Sequence, residues 1–266
     1  MTPSWVTAFL DLPAAGHEAS VGFWQRVTGH ALSAPRGDHD EFATLVPSAG
    51  DDHLRVQRVG DGPPRVHLDL HVPEVAAAAE ELVALGAAVT DDAGDHLVLR
   101  SPGGLPFCLV DRPAATRSAP RTWPDGRVSE VDQVCLDVPP GRYDAELDFW
   151  SAATGWHRRD PAPGSEFGRL TPDDRQPVQL LLQRLDDEEP AVRAHLDWAT
   201  TDRPAEVAAH VAAGAEVVAT HDDWTVLRDP GGLVYCVTRR SPRVTARTPA
   251  GAPRGWRGTA PPPRAG

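Results

Sequence analysis

Imidazole and carboxylate alternate along two short stretches of this chain, Arg65-Val66-His67-Leu68-Asp69-Leu70-His71 and Arg193-Ala194-His195-Leu196-Asp197-Trp198. A strand sends successive side chains to opposite faces, so His67, Asp69 and His71 share one face while Val66, Leu68 and Leu70 share the other. The second stretch sets His195 and Asp197 against Leu196 and Trp198 in the same way. A histidine two residues from an aspartate on one face has two readings. Either the pair lines a cavity and does acid–base or ligand chemistry, or the histidine is buried and tied to the sheet by hydrogen bonds. In both cases the apolar face needs a second layer to cover it.

The two stretches belong to a longer echo. Phe23-Trp24 returns as Phe149-Trp150, Thr28-Gly29 as Thr154-Gly155, Glu41-Phe42 as Glu166-Phe167, and Gln57-Arg58-Val59 as Gln183-Arg184-Leu185. Leu99-Arg100-Ser101-Pro102-Gly103-Gly104-Leu105 matches Leu227-Arg228-Asp229-Pro230-Gly231-Gly232-Leu233, with Cys108 falling on Cys236. The offsets stay between 125 and 128, which makes a duplicated unit of roughly 115 residues, too long a period for a solenoid. Tandem domains are expected at 4–112 and 130–240, joined by a Pro- and Arg-rich linker at 113–129 and followed by a basic tail at 241–266. That tail has no apolar periodicity, so disorder is expected there, with Trp256 its one candidate for docking.

Within each unit, helices are expected at 17–28 and 143–154, where the apolar residues recur at helical spacing and Gly29 and Gly155 follow as C-caps. Further helices are expected after Pro73 and from about Pro204, the latter with Asp202 as N-cap. The remaining apolar runs read as short strands broken by Gly, Pro and Asp turns. Mostly antiparallel sheets follow from the short connections between the later strands. The spacing predicts that Trp24 and Trp150 pack each helix on its own sheet.

Together the Phe-Trp and Thr-Gly pairs, the His-bearing strand and the Pro-Gly-Gly turn before the last strand, each occurring twice, resemble the vicinal oxygen chelate superfamily. Within it they look most like actinobacterial glyoxalase-like domains, related to glyoxalase, bleomycin-resistance and dioxygenase proteins. The resemblance implies an α+β fold of four βαβββ modules, in which curved, mostly antiparallel sheets form cups with helices outside. It also implies ligand positions on strands lining each cup. In the second half these are Gln133, Gln183, His195 and Cys236; in the first, Thr7, Gln57, His67 and Cys108. Asp197 and Asp69, on the polar face of the His-bearing strands, and Arg228 and Arg100, beside the glycine turns, are further candidate ligand-binding residues. His195 and Glu166 are the candidate catalytic groups. A divalent metal (Zn, Ni, Mn or Fe) is implied only through His195, Gln133, Gln183 and Cys236. That set departs from the family's His and Glu pattern, because cysteine stands where the last-strand carboxylate belongs and an amide is a weak ligand.

The leading expectation is therefore a small organic molecule bound in a cup without a tightly held metal. A metal-dependent lyase or isomerase of the lactoylglutathione-lyase kind and a non-catalytic scaffold are the alternatives. Cys108 and Cys236 read as cup-wall apolar groups before nucleophiles. Arg100 and Arg228 either bind an anionic ligand group or pair with a helix-borne glutamate. Because Gln133 has only Thr7 as its counterpart, the second cup is expected to be the working one.

Composition removes other classes. The net charge is −12, and the seven arginines of residues 239–266, with no acid among them, leave −19 on residues 1–238. Such a body repels nucleic acid and anionic membranes. Lysine is absent, which excludes a Schiff-base lysine and a P-loop. No apolar run reaches 18 residues and the first ten residues do not read as a secretory signal, so a cytoplasmic location is expected. The three cysteines are odd in number and spread over both halves, against a disulfide framework. The expected assembly is a monomer or homodimer.

Overall fold

A computed structural model describes residues 1–243. The first half runs β1 (Trp5–Pro13), α1 (His17–Thr28), β2 (Ala31–Leu32), β3 (Phe42–Val46) and β4 (Leu54–Val59). Its second module follows as β5 (Arg65–His71), α2 (Val75–Ala84), β6 (Ala88–Asp92), β7 (His96–Arg100) and β8 (Pro106–Val110). A two-residue strand, β9 (Arg121–Thr122), precedes the second half. There the order recurs as β10 (Val128–Val138), α3 (Tyr143–Thr154), β11 (His157–Arg159), β12 (Phe167–Thr171) and β13 (Gln179–Arg184). It closes with β14 (Arg193–Thr200), α4 (Arg203–Ala212), β15 (Glu216–Thr220), β16 (Trp224–Arg228) and β17 (Val234–Thr238). The fold is the expected tandem βαβββ arrangement.

Each half forms one sheet from its own two modules, ordered β2-β3-β4-β1-β5-β8-β7-β6 and β11-β12-β13-β10-β14-β17-β16-β15, with β9 added beside β10. The central pairs β1–β5 and β10–β14 are antiparallel, while β1–β4, β5–β8, β10–β13 and β14–β17 are parallel. Those parallel pairs are possible because a helix and two strands intervene between their members. The ladders also fix equivalence between the halves. Thr7 faces Asp69 as Gln133 faces Asp197, and Phe9 faces His67 as Cys135 faces His195. Asp69 lies beside Cys108 as Asp197 lies beside Cys236.

Alternation then decides which side chains line the cup. Val6, Ala8, Leu10, Leu68, Leu70, Phe107 and Leu109 point into one apolar core shared with Val134, Leu136, Leu196, Trp198, Tyr235 and Val237 of the other half. The helices close that core, and here the structure differs from expectation. Trp24 and Trp150 pack across the halves: Trp24 stacks on Trp198 at 6.5 Å and meets Tyr235 at 5.2 Å, while Trp150 meets Phe107 edge-on at 5.3 Å. The stripes on α1 and α3 were legible, but a stripe does not say which sheet it covers.

Two clasps hold these crossings. Trp24 Nε1 donates to Asp229 at 2.9 Å, and the same carboxylate accepts from Gly231 N and Leu233 N in the turn before β17. In the first half that turn carries Ser101, and Glu146 of α3 supplies the acid, accepting from Gly103 N at 2.5 Å and from Trp150 Nε1 at 2.8 Å. Gly103 makes room for this contact, since a Cβ would meet Glu146 Oε1 at 2.8 Å and a Val192 methyl at 2.5 Å and force one of them to move.

The joints are less free than composition suggests. Within residues 113–129, Ala115 N and Thr116 N donate to Asp51 at 2.8 Å, Arg121–Thr122 form β9, and β10 already begins at Val128. In residues 241–243, expected to open the disordered tail, Arg243 is tied to the body through Glu130 and the carbonyls of Gln176 and Pro177. The rest of that expectation, Trp256 included, lies outside the described residues. No described helix is long and apolar enough to cross a membrane.

Candidate functional site

The second cup is built on β10, β13, β14 and β17. His195 lies at its floor. Its Nδ1 is 3.2 Å from Asp137 and its Nε2 is 3.3 Å from Asp197, so both ring nitrogens face carboxylates. Burial alone would lower this imidazole, but the neighbouring Asp137 outweighs it, and the group is raised well above its ordinary value. Cys236 Sγ is 3.6 Å from Nε2. Burial pushes the thiols of Cys135, up to about 12, and Cys236 upward, so both stay neutral. Gln133 Nε2 donates to Asp197, while its Oε1 is buried with no partner among the described residues. Arg169 of β12 also faces this space, and its Nε is buried without a partner among the described residues. The cavity is about 210 Å³, walled by Phe167, Leu181, Gln183 and Trp224.

The first cup repeats the frame with different fillings. His67 Nδ1 is 2.8 Å from Asp11, and Nε2 is 3.7 Å from Asp69. Where the second cup has Cys135, the first has Phe9, whose ring stacks on His67 at 4.8 Å. Burial opposes protonation of His67, yet Asp11 prevails and the group is raised. This cavity is larger, about 390 Å³, and Arg36, Arg55, Arg65 and Arg112 line it.

Of the residues expected at the site, Gln133, Gln183, His195, Asp197 and Cys236 converge on the second cavity, and Gln57, His67, Asp69 and Cys108 on the first. Thr7 is fully buried and bonded to His71 Nε2 at 2.9 Å, away from the cavity. His71, its other nitrogen on Arg112 O at 2.8 Å, is a satisfied structural histidine. Arg100 and Arg228 line neither cavity: Arg100 donates to Gly104 O, and Arg228 pairs with Glu216, which is strand-borne rather than helix-borne. Glu166 also lies off the cavity wall, although its neighbour Phe167 is on it. Cys135, Asp137, Asp11 and Arg169 were not among the residues expected at the site. Cys135 and Asp137 were findable, because they continue the alternation from Gln133 along one strand. Arg36 carried no signal, since it lies in the loop between β2 and β3.

A model for the glyoxalase-like domain matches residues 7–110 and again 133–238. The chain belongs to that family, as a two-domain member of the vicinal oxygen chelate superfamily. Among solved structures it is similar to a triple mutant of 4-hydroxymandelate synthase from Streptomyces coelicolor, at 16% identity and TM-score 0.61, covering 92% of this chain and 94% of that one. It is similar to 2,2′,3-trihydroxybiphenyl 1,2-dioxygenase from Sphingomonas wittichii strain RW1, at 15% identity, TM-score 0.59 and 92% coverage of each chain. It is also similar to a Mn(II)-bound glyoxalase from Novosphingobium aromaticivorans, at 17% identity and TM-score 0.58, covering 89% of this chain and 81% of that one. At such identities the likeness shows the fold. No curated protein matches the sequence.

The donors decide whether a metal fits. One ligand atom each of Cys135, His195 and Asp197 lies within 4.8 Å of the others, as do those of His67, Asp69 and Cys108. Imidazole, carboxylate and thiol with an open fourth position is a set that zinc accepts. It does not suit manganese, which prefers oxygen donors. Asp137 and Asp11 on the far ring nitrogens are placed to orient each imidazole toward such an ion.

Proposed function

We propose that this chain binds a small organic molecule in the cup of its second half and does so without a tightly held metal. The observation that carries this reading is that Gln133 Oε1 and Arg169 Nε, buried on the cup wall, have no partner among the described residues; Arg240 Nε lacks one too, but that guanidinium is already held by Asp132 through Nη2. Buried polar groups find partners. Here a ligand supplies them, offering an O–H or N–H to the amide oxygen and an anionic or carbonyl oxygen to the guanidinium. His195, held as a cation between Asp137 and Asp197, adds positive charge rather than a lone pair. A hydroxylated organic acid meets all three demands. Hydroxylated aromatics, after which the Sphingomonas neighbour is named, are one group of test compounds.

A zinc-dependent lyase or isomerase is the second reading, and the Cys135–His195–Asp197 grouping favours it. It would use Asp197 and Cys135, with Gln133 orienting Asp197, rather than Gln133 and Gln183 as ligands. The scaffold reading is weakened by the open cavities. Domain limits at 4–112 and 130–240 and a monomer or homodimer without nucleic-acid or membrane partners belong to the same proposal. So does a cytoplasmic location, with which three unpaired buried cysteines agree.

Tag-free protein, assayed for metal and then screened by thermal shift against hydroxy acids with zinc or with chelator, separates the two readings. The metal-free reading expects stabilisation that survives the chelator, a change in Trp224 fluorescence, and loss of both in His195→Ala, with His67→Ala acting on stability only. Zinc bound in stoichiometric amount, or stabilisation that requires it, transfers the function to the second reading.

A further inference from the structure

Three of the four arginines lining the first cup have aspartates of their own. Arg55 Nε is 2.7 Å from Asp52, Arg65 Nε is 2.7 Å from Asp11, and Arg112 Nη2 is 3.4 Å from Asp95. Asp69, the remaining acid on the wall, faces His67 Nε2 at 3.7 Å. Arg36 alone has no carboxylate within ion-pair distance among the described residues; its one side-chain partner is Thr44 Oγ1 at 3.0 Å. It stands half-buried on the cavity wall with Phe9, Phe42 and Val98. Burial, with the fields of Arg55 and Arg112, outweighs the opposing fields of Asp52 and Asp69 and lowers the guanidinium below its ordinary value. A half-buried guanidinium without an acid partner, set on the wall of a cavity that opens to solvent, is a ready partner for an anion that enters it.

Thr44 lies opposite Arg55 on β4, and Arg169 lies opposite Leu181 on β13, which is the position equivalent to Arg55. Thr44 is therefore the first-half counterpart of Arg169. The first cup has threonine where the second has arginine, and Arg36 reaches that threonine from a loop with no such counterpart in the repeat. Each cup thus has one guanidinium without an acid at the same place, delivered by different residues.

We propose that the first cup is a separate binding site for a small organic monocarboxylate, whose carboxylate takes the planar fork of Arg36 and whose apolar body lies against Phe9, Phe42 and Val98. One unpaired cation calls for a monoanion rather than a phosphate dianion, and a guanidinium fork matches a carboxylate with two parallel bonds. A cavity of about 390 Å³ with an aromatic wall holds a molecule of the size of benzoate or phenylacetate. The site does not depend on the reading of the second cup.

Isothermal titration of the full-length protein with benzoate, phenylacetate and hexanoate, each against its neutral amide, tests this. At least one acid should bind saturably while its amide does not. Arg36→Gln should weaken that binding at least about tenfold, the loss of one charge-assisted contact. Arg36→Lys should fall between the two, and the component of binding that Arg36→Gln removes should persist in Arg169→Gln. Unaltered thermal melting of the Arg36 variants shows that folding is intact. Binding of no acid, equal binding of acid and amide, or binding lost in Arg169→Gln and kept in Arg36→Gln overturns the proposal. The last outcome would move the acid to the second cup and leave the reading given there standing.

Discussion

The two halves meet the same structural demands with their residues exchanged. The Pro-Gly-Gly turn before each last strand must have its N–H groups satisfied and must clasp a tryptophan from the other half. In the second half the acid sits in the turn, as Asp229, and the facing helix offers only Ser20. In the first half the turn has Ser101, and the acid comes from the helix as Glu146. The cups show the same freedom: Phe9 against Cys135, Thr7 against Gln133, and Arg36 reaching the place of Arg169. A duplicated frame constrains where a charge must be and leaves open which chain segment carries it.

The clasps are where the two halves should differ most under substitution. Asp229→Ser removes an acceptor of three bonds and strands Trp24 Nε1 in the core. Each buried donor left without a partner costs about 1–3 kcal/mol, so a loss of about 3 kcal/mol in unfolding free energy is expected. Adding Ser20→Glu should recover part of it, because it copies the first-half arrangement of Glu146 with Ser101. Urea denaturation of the single and double variants reads both values. A double variant no more stable than Asp229→Ser alone would show that the two clasps are not interchangeable.

A titrating group distinguishes the halves next. His53, just before β4, is buried and its Nε2 lies 3.1 Å from Val131 O of the other half. Burial, with the fields of His30 and Arg117, lowers it to about 3. The corresponding residue before the middle of β13 is Gln179, which does not titrate. Because the folded state resists protonating His53 and the unfolded chain does not, stability is retained above the unfolded value of about 6.5 and declines as pH falls toward 3. The slope is at most about 1.4 kcal/mol per pH unit. His53→Gln, which copies the second half, should flatten the fall of melting temperature between pH 6.5 and 4. An unchanged slope would assign acid sensitivity to other groups, His30 first among them.

How much of this was legible follows from which forces act locally. Alternation along β5 and β14 placed His67, Asp69, His195 and Asp197 on the cup face, and helical spacing with Gly29 and Gly155 delimited α1 and α3. Such patterns are short-range and survive in the sequence. The pairing of α1 and α3 with the opposite sheet did not, because an apolar stripe is the same whichever surface it covers. Arg100 and Arg228 were misleading for a similar reason: adjacency to a glycine turn says nothing about which face the strand shows. Arg36 was invisible because its place in the cup depends on how a loop folds back over β3.

One difference between the halves has no counterpart at all. The ladder between β10 and β14 slips between Val131 and Gln133, so Asp132 is the extra residue of a bulge that the first half lacks. It is fully buried, and its charge must be met: Arg240 Nη2 is 2.6 Å from one oxygen and Arg243 Nε is 3.5 Å from the other. Glu130, two residues earlier, accepts from Arg243 N at 2.7 Å and is pushed up to about 7 by burial and by Asp132. The inserted acid therefore explains why Arg243 binds the body where composition predicts a free tail. Arg243→Ala leaves the backbone bond to Glu130 and keeps Arg240 on Asp132, so the expected loss is small, about 1–2 kcal/mol. Truncation after Arg240 removes the backbone bond as well and should cost somewhat more. Both are read by urea denaturation at pH 8, where Glu130 is ionised and the need for a cation is greatest. If truncation leaves stability unchanged, Arg240 alone neutralises the bulge, and the tail begins where its composition first suggested.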